Sequence, residues 1–208
     1  MNETKHLIYT VGHSNHSADY FLELLKTYSV NCLVDVRSLA GSRFNPQFNK
    51  SALSAQMNSN GIQYLHFAKE FGARRSEPHL LDKNGQLDFE KVRQTKDFIS
   101  GVGKLKEKAA GGFSVALMCA EADPLRCHRF SMLSVALKTD FEIYHIIKDK
   151  TLLSNTELEN RMLKLYEKKI PGPSVFLPHV THQEQLAVAY RLHNKDVAYS
   201  PLRSTSPE

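Results

Sequence analysis

The fold is decided by residues 113–137, which read FSVALMCAEADPLRCHRFSMLSVAL. The first part, residues 113–118, is an apolar run with the length and composition of a strand buried on both faces of a sheet. Asp123 then suits a helix N-cap and Pro124 suits the first helical position, so we predict a helix over residues 125–137. In an open α/β sheet, ligands bind where the carboxyl end of a strand meets a helix N-terminus. The loop between these two elements is therefore the predicted place for an anion or a thiolate.

Four more apolar segments have the length of strands, and segments with helical spacing of apolar residues lie between them. The predicted strands are residues 6–11, 32–36, 62–67 and 141–147, and the predicted helices are residues 17–28, 51–58 and 91–110. Alternating strands and helices are typical of βαβ units with right-handed crossovers. We therefore predict an α/β fold with a mostly parallel sheet of about five strands and helices on both faces.

The alternation of strands and helices ends near residue 148. Beyond it, residues 155–169 and 182–193 have helical spacing, residues 171–178 have the composition of a linker, and residues 199–208 that of a disordered tail. The sequence thus predicts an α/β domain over residues 1–150, followed over residues 151–208 by a C-terminal helical extension and a disordered tail.

The composition is that of a soluble globular chain with a small basic excess. The net charge is +5 at pH 7, but the charges are spread along the chain and give only a weak indication of an anionic partner. The three cysteines suggest no disulfide framework, and the N-terminus lacks the pattern of a signal peptide. No apolar run approaches the roughly 18 residues that a membrane span needs. We expect a cytoplasmic protein without a membrane partner; the sequence does not indicate its oligomeric state.

Three predicted strands end in polar residues of the kinds that carry out chemistry. The ends hold Gly12-His13-Ser14, Asp35-Val36-Arg37 and Cys119-Ala120-Glu121. In a parallel sheet these ends lie at the same edge. Asp35 and Arg37 lie two residues apart and therefore share one face of their strand. They either pair with each other, or the guanidinium holds an anion while the carboxylate orients it.

Cys119 is the strongest candidate for a reactive group. A thiol at a strand end, facing a helix N-terminus with Arg126 and Arg129 nearby, is expected to have a lowered pKa and to act as a nucleophile. The alternative is that Cys119 is a small buried side chain without reactivity. At about 100° per residue, Arg129 lies on the inward side of the predicted helix, where we expect it to organise the site. Cys127 points nearly opposite and is expected to be peripheral.

A metal site is an alternative interpretation of the same residues. Cys119, Cys127 and His128, together with His13 or His66, supply suitable donor atoms. Their spacing matches no compact zinc motif, so we expect neither a metal nor a cofactor.

Several segments taken together resemble the DUF488 family, whose function is not established. They read YTVGHSN, LVDVRSLAGSRFNPQFN, GIQYLHFAKEFGARR and ALMCAEADPLRCHR, and they occur in that order over residues 8–147. The resemblance implies that the following residues match motif positions of the family: His13, Ser14, Asp35, Arg37, Ser42, Arg43, Asn45, Pro46, Tyr64, Cys119, Glu121, Cys127, His128 and Arg129. Leu39-Ala40 departs from a proline-containing turn that is usual in the family, which bears on loop conformation more than on chemistry.

We expect the site to bind an anionic, phosphate-bearing ligand, either a small molecule such as a nucleotide or a nucleic acid, and to act on it as a cysteine- or carboxylate-dependent hydrolase or transferase. The expected catalytic residues are Cys119, Glu121, His128 and His13. The expected ligand-binding residues are Ser14, Asp35, Arg37, Arg43, Asn45, Tyr64 and Arg129.

Two other interpretations stay open. The first is a non-enzymatic nucleic-acid- or protein-binding module, which would use Arg74, Arg75 and the basic tail as contacts. The second is a scaffold in which the residues around Arg129 only fix a loop.

Overall fold

The central strand of the sheet lies in the stretch that begins at residue 113. In the computed structural model, which describes residues 5–172 and 179–201, this strand pairs in parallel with one neighbour on each side. The strands are β1 His6–Gly12, β2 Cys32–Asp35, β3 Gln63–His66, β4 Val115–Cys119, β5 Phe141–Ile146 and β6 Leu152–Ser154. They form one sheet in the order β3-β2-β4-β1-β5-β6, parallel except for β6, which pairs antiparallel with β5. The predicted α/β fold is confirmed, and the sheet has six strands because the short β6 joins its edge.

Helices lie on both faces of this sheet, as predicted. They are α1 Ala18–Thr27, α2 Lys50–Ser59, α3 Ala68–Phe71, α4 Phe89–Arg93, α5 Lys96–Ala110, α6 Val135–Leu137, α7 Asn155–Leu165 and α8 His182–Val197. Side chains of β4 alternate between the two faces. Val115, Leu117 and Cys119 pack in the core beside α4 and α5, whereas Ala116 and Met118 pack in the core beside α1 and α2.

The single helix predicted over residues 91–110 is wrong, because the chain forms α4 and α5 there. Thr95 lies between them in an extended conformation, and its side chain accepts a hydrogen bond from the Phe98 N–H. This is the geometry of a helix N-cap, so a new helix begins at Lys96.

The continuous α-helix predicted over residues 125–137 is also wrong. Asp123 does act as a cap and accepts a hydrogen bond from the Leu125 N–H at 2.9 Å, but the turn that follows, Pro124–Arg126, is a 3-10 turn. Cys127 is then extended (φ −137°, ψ 144°), and residues Arg129–Ser134 form a π-helix before α6 begins. All six residues of the π-helix are buried, whereas an amphipathic α-helix buries only one side.

The C-terminal part of the chain packs on the outer side of the π-helix. Phe130 is buried in a cluster with Leu158 and Met162 of α7 and with Tyr190 of α8.

Compared with the predictions for the C-terminal part of the chain, α7 is shorter and α8 extends further. The division into a domain over residues 1–150 and an extension over residues 151–208 stays a prediction. Most of the predicted linker (173–178) and most of the predicted tail (202–208) lie outside the described residues.

Within residues 5–172 and 179–201, no helix has both the length and the apolar character that crossing a membrane would require.

A buried histidine couples the sheet to the C-terminal part of the chain. His145 has no exposed surface; its Nδ1 atom lies 2.8 Å from Thr10 Oγ1, and its Nε2 atom lies 3.4 Å from Asn155 Oδ1. Burial, followed by the charge of Arg129, lowers the pKa of His145 to about 3. An unfolded chain, with a histidine pKa of about 6.5, therefore binds a proton that the folded protein does not bind between these two values.

The free energy of unfolding is therefore expected to fall as the pH decreases from about 6.5 toward 3, by up to about 1.4 kcal/mol per pH unit from this histidine. We expect His145→Gln to make this dependence shallower, because glutamine keeps hydrogen-bonding groups and does not titrate. Urea unfolding at a series of pH values measures the slope, with His79→Gln, at an exposed histidine, as the control. Equal slopes for His145→Gln and the unsubstituted protein would contradict the prediction.

Candidate functional site

The candidate site lies at the carboxyl ends of β1, β2 and β4, where the loops continue the hydrogen bonding of the strands. The His13 N–H donates to the Cys119 carbonyl at 2.9 Å, and the Ser14 N–H donates to the Ala120 carbonyl at 2.8 Å. A Cβ atom on Gly12 would lie 1.8 Å from the carbonyl oxygen of Glu121, so only glycine allows this approach. The loops after β1 and β4 are therefore held tightly against each other.

Asp35 and Arg37 form a buried, bidentate ion pair. Arg37 Nε donates to Asp35 Oδ1 at 2.9 Å, and Arg37 Nη2 donates to Asp35 Oδ2 at 2.7 Å. The Tyr64 hydroxyl donates to Asp35 Oδ2 at 2.8 Å, and Arg37 Nη2 also donates to the Phe48 carbonyl at 2.7 Å. Of the two expectations for these side chains, the structure shows the pair. The guanidinium is therefore largely occupied by protein groups and fixes the loop after β2.

His13 connects this ion pair to the loop after β1. Its Nδ1 atom lies 2.7 Å from the Ser14 carbonyl oxygen, an acceptor, so Nδ1 carries the proton and Nε2 accepts from Arg37 Nη1 at 3.1 Å. The ring also stacks on Phe48 with a centroid distance of 4.3 Å. Burial, followed by the charge of Arg37, lowers the pKa of His13 to about 4. Both nitrogens of the neutral ring are occupied, so this geometry makes His13 a positioning residue for Arg37 rather than a free acid or base.

Arg129 is completely buried beneath the loop that follows β4. Its Nη1 and Nη2 atoms donate to the carbonyl oxygens of Glu121 and Ala122, the latter at 2.8 Å. Over the part of the chain that the structure describes, no carboxylate pairs with this guanidinium, and its Nε atom has no hydrogen-bond partner. Arg129 therefore organises the loop, in agreement with the inward position expected from the sequence.

Cys119, Cys127 and His128 come together beside Arg129. The Nδ1 atom of His128 lies 3.7 Å from the Sγ atom of Cys119 and 3.7 Å from that of Cys127, and the three atoms all lie within 4.8 Å of one another. The expectation that Cys127 is peripheral is wrong, because only 3% of this residue is exposed. Helical angles do not apply at Cys127, whose extended conformation turns its side chain into the core.

The pKa values of the two thiols are shifted in opposite directions, and the pKa of Cys119 is shifted against the sequence-based expectation. The hydrogen bond to Cys127, together with burial, raises the pKa of Cys119 well above its usual value. Burial alone would also raise the pKa of Cys127, but the hydrogen bond from Cys119 and the charge of Arg129 bring it well below its usual value. Cys127 is therefore the more acidic of the two thiols, and the lowered pKa expected for Cys119 is wrong.

A cavity of about 470 Å³ opens at this edge of the sheet and is lined by all four expected catalytic residues. The expected site residues that line it are His13, Arg37, Asn45, Cys119, Glu121 and His128. The expected site residues that do not line it are Ser14, Asp35, Arg43, Tyr64 and Arg129. Asp35, Tyr64 and Arg129 instead support the lining residues from behind, whereas Arg43 is exposed on the loop outside the cavity.

Several lining residues were not among the expected site residues. Arg74 and Arg126 add two guanidinium groups to the lining of the cavity. Val197, at the end of α8, and Tyr199, just after it, also line the cavity. The unusually long irregular segment that contains Arg74 is a sequence signal for a binding loop. No local signal points to Val197, because its place depends on how α8 packs.

The ion pair generates a stability prediction. Arg37→Met would leave Asp35 buried and charged. Its hydrogen-bond donors would be only the backbone N–H of residue 37 and the Tyr64 hydroxyl. We expect a loss of about 3–5 kcal/mol in the free energy of unfolding, measured by urea denaturation. The matched control is Lys69→Met, which breaks an exposed ion pair to Asp97 and is expected to cost at most about 1 kcal/mol. Similar losses in the two variants would contradict this account of the site.

Comparison with known proteins supplies one match. The family model described as "Domain of unknown function DUF488" matches residues 17–135, more than half of the chain. The matched segment contains β2, β3, β4 and all three residues of the cysteine–histidine cluster, and it lies inside the range over which the sequence resembles the family. No match was found among curated proteins or among solved structures. The chain therefore belongs to the DUF488 family.

Proposed function

We propose that the cavity binds a phosphate-bearing anion. The observation that carries this proposal is the charge of the lining: Arg74 and Arg126 face the cavity without an ion-pair partner among the described residues, and Glu121 is the one carboxylate among the lining side chains. Arg37 adds a third guanidinium, already paired with Asp35. Guanidinium groups suit the oxygens of a phosphate because they donate several hydrogen bonds in one plane.

The size of the cavity and the character of its rim favour a nucleotide or the end of a nucleic-acid chain. A volume of about 470 Å³ lies within the range typical of small-molecule sites. The loop that contributes Ser42 and Asn45 to the lining also carries Phe44, which is 90% exposed, and Arg43. An exposed aromatic ring beside a cation is suited to stacking on a base while the phosphate is held nearby.

We further propose hydrolase or transferase chemistry, and the geometry favours the carboxylate-dependent form. Glu121 is exposed and lines the cavity, where its carboxylate can take a proton from a water or hydroxyl group next to a bound ligand. Cys119 is a poorer nucleophile than expected because its pKa is raised by the hydrogen bond to Cys127 and by burial. His128 also lines the cavity.

A non-enzymatic nucleic-acid-binding module is the second candidate, supported by the exposure of Phe44 and Arg43. It differs from the first candidate in its dependence on salt. Binding of a long strand through several phosphates weakens steeply as the salt concentration rises, and no ligand is converted.

The test is calorimetric titration of the full chain with inorganic phosphate, a nucleoside monophosphate and a short single-stranded oligonucleotide. We expect binding of at least one of these probes. Arg74→Ala combined with Arg126→Ala should weaken that binding by about 10-fold to 100-fold for each charge-assisted hydrogen bond that the substitutions remove. Arg161→Ala, at an exposed arginine on α7 outside the cavity, is the matched control and should leave the affinity unchanged.

Two results would contradict the proposal: no binding of any of the three probes, or equal affinities in the double variant and the control. Binding of the oligonucleotide alone, with a steep salt dependence and no conversion, would favour the binding module.

A further inference from the structure

We infer that Cys119, Cys127 and His128 form a zinc site that opens into the cavity. This inference goes beyond the proposed function, because it assigns an ion to the wall of the cavity whatever anion the cavity binds. The three residues supply two sulfur donors and one imidazole nitrogen, a donor set that suits zinc and does not suit magnesium or calcium, which prefer oxygen.

The two sulfur–nitrogen distances already match those of a tetrahedral zinc site. With Zn–S bonds of about 2.3 Å and a Zn–N bond of about 2.0–2.1 Å, a tetrahedral ion separates its sulfur and nitrogen ligand atoms by roughly 3.6 Å. The Nδ1 atom of His128 lies 3.7 Å from each of the two Sγ atoms. The two sulfur–nitrogen distances therefore need little change when an ion binds all three atoms, and the two Sγ atoms lie within 4.8 Å of each other.

The backbone explains how neighbouring residues supply two of the three ligands. Cys127 is extended and His128 has helical angles, so the chain turns between them and brings both side chains to the end of β4, where Cys119 lies. The extended conformation of Cys127 also interrupts the α-helix that was predicted over residues 125–137. The break in the helix and the convergence of the donor atoms thus have the same structural origin.

No fourth protein ligand completes the group among the described residues: the carboxylate of Glu121 lines the cavity but is not close enough to belong to the cluster, which leaves the site open. His13 uses both ring nitrogens for hydrogen bonds to Ser14 and Arg37, and His66 Nε2 lies 2.9 Å from the Arg37 carbonyl oxygen. The sequence-based alternative in which either His13 or His66 supplies a fourth zinc ligand therefore receives no support. Since all three proposed ligands line the cavity, the open position faces the cavity.

The surrounding charge favours an anion at that open position. Two thiolates balance the charge of Zn²⁺, and the buried guanidinium of Arg129 adds one positive charge that no carboxylate in the described residues offsets. A hydroxide or the oxygen of an anionic ligand would restore neutrality. Zinc sites with three protein ligands and one exchangeable position are those that take part in reactions.

The experiment titrates the full chain, freed of metal by a chelator under reducing conditions, with Zn²⁺ against a chromophoric competitor and, separately, with Co²⁺. We expect one zinc per chain, and a cobalt spectrum with the ligand-field bands of tetrahedral coordination and a thiolate-to-cobalt charge-transfer band. Cys119→Ser, Cys127→Ser and His128→Ala should each weaken zinc binding by at least about 100-fold. Cys32→Ala is the matched control, since Cys32 is a buried cysteine outside the cluster.

The inference is overturned if cobalt gives no thiolate charge-transfer band with the unsubstituted protein, a readout that does not depend on the folding of any variant. It is also overturned if Cys119→Ser or Cys127→Ser binds zinc as tightly as Cys32→Ala does. Phosphate binding without zinc binding would contradict the zinc site and leave the proposed anion binding standing. Zinc binding without any anion binding would support the zinc site and contradict the proposed function.

Discussion

The guanidinium of Arg129 lies in the protein interior with no carboxylate beside it among the described residues. A buried charge without compensation costs several kcal/mol, so neighbouring groups must offset it. The carbonyl oxygens of Glu121 and Ala122 provide part of this compensation. Cys127 lies nearby, and the hydrogen bond from Cys119 and the charge of Arg129 lower the pKa of its thiol. The loop after β4, the π-helix that carries Arg129 and the cysteine pair are consequently fixed relative to one another.

The cations of the site divide into two groups with different tasks. Arg129 and Arg37 are buried and direct their hydrogen bonds to carbonyl oxygens, to Asp35 and to His13, so they shape the cavity. Arg74 is exposed on a loop and, like Arg126, has no ion-pair partner in the described ranges. A buried, paired cation must leave its partner if it moves toward a ligand, whereas an exposed cation can reorient at little cost.

Sequence reasoning succeeded where the signal was local and failed where distant contacts decide the conformation. The buried strand β4 and the cap at Asp123 follow from short apolar runs and from capping chemistry, and the inward position of Arg129 survives even though its helix is not an α-helix. The conformation of Cys127 could not be predicted, because nothing in its neighbours forbids an α-helix there; its side chain is held by the core and the cluster around His128. The same limit applies to Val197, whose place at the cavity depends on packing across the whole fold.

The wall that Val197 and Tyr199 contribute lies outside residues 17–135, whereas the cysteines, His128 and Arg129 lie inside them. The cysteine–histidine cluster and one wall of the cavity are thus encoded in separate stretches of the chain. Substitutions or changes of length near the end of α8 can widen or narrow the cavity without changing the cysteine–histidine cluster or the ion pair of Asp35 and Arg37. The size of the cavity can therefore diverge in evolution independently of the cysteine–histidine cluster at its base.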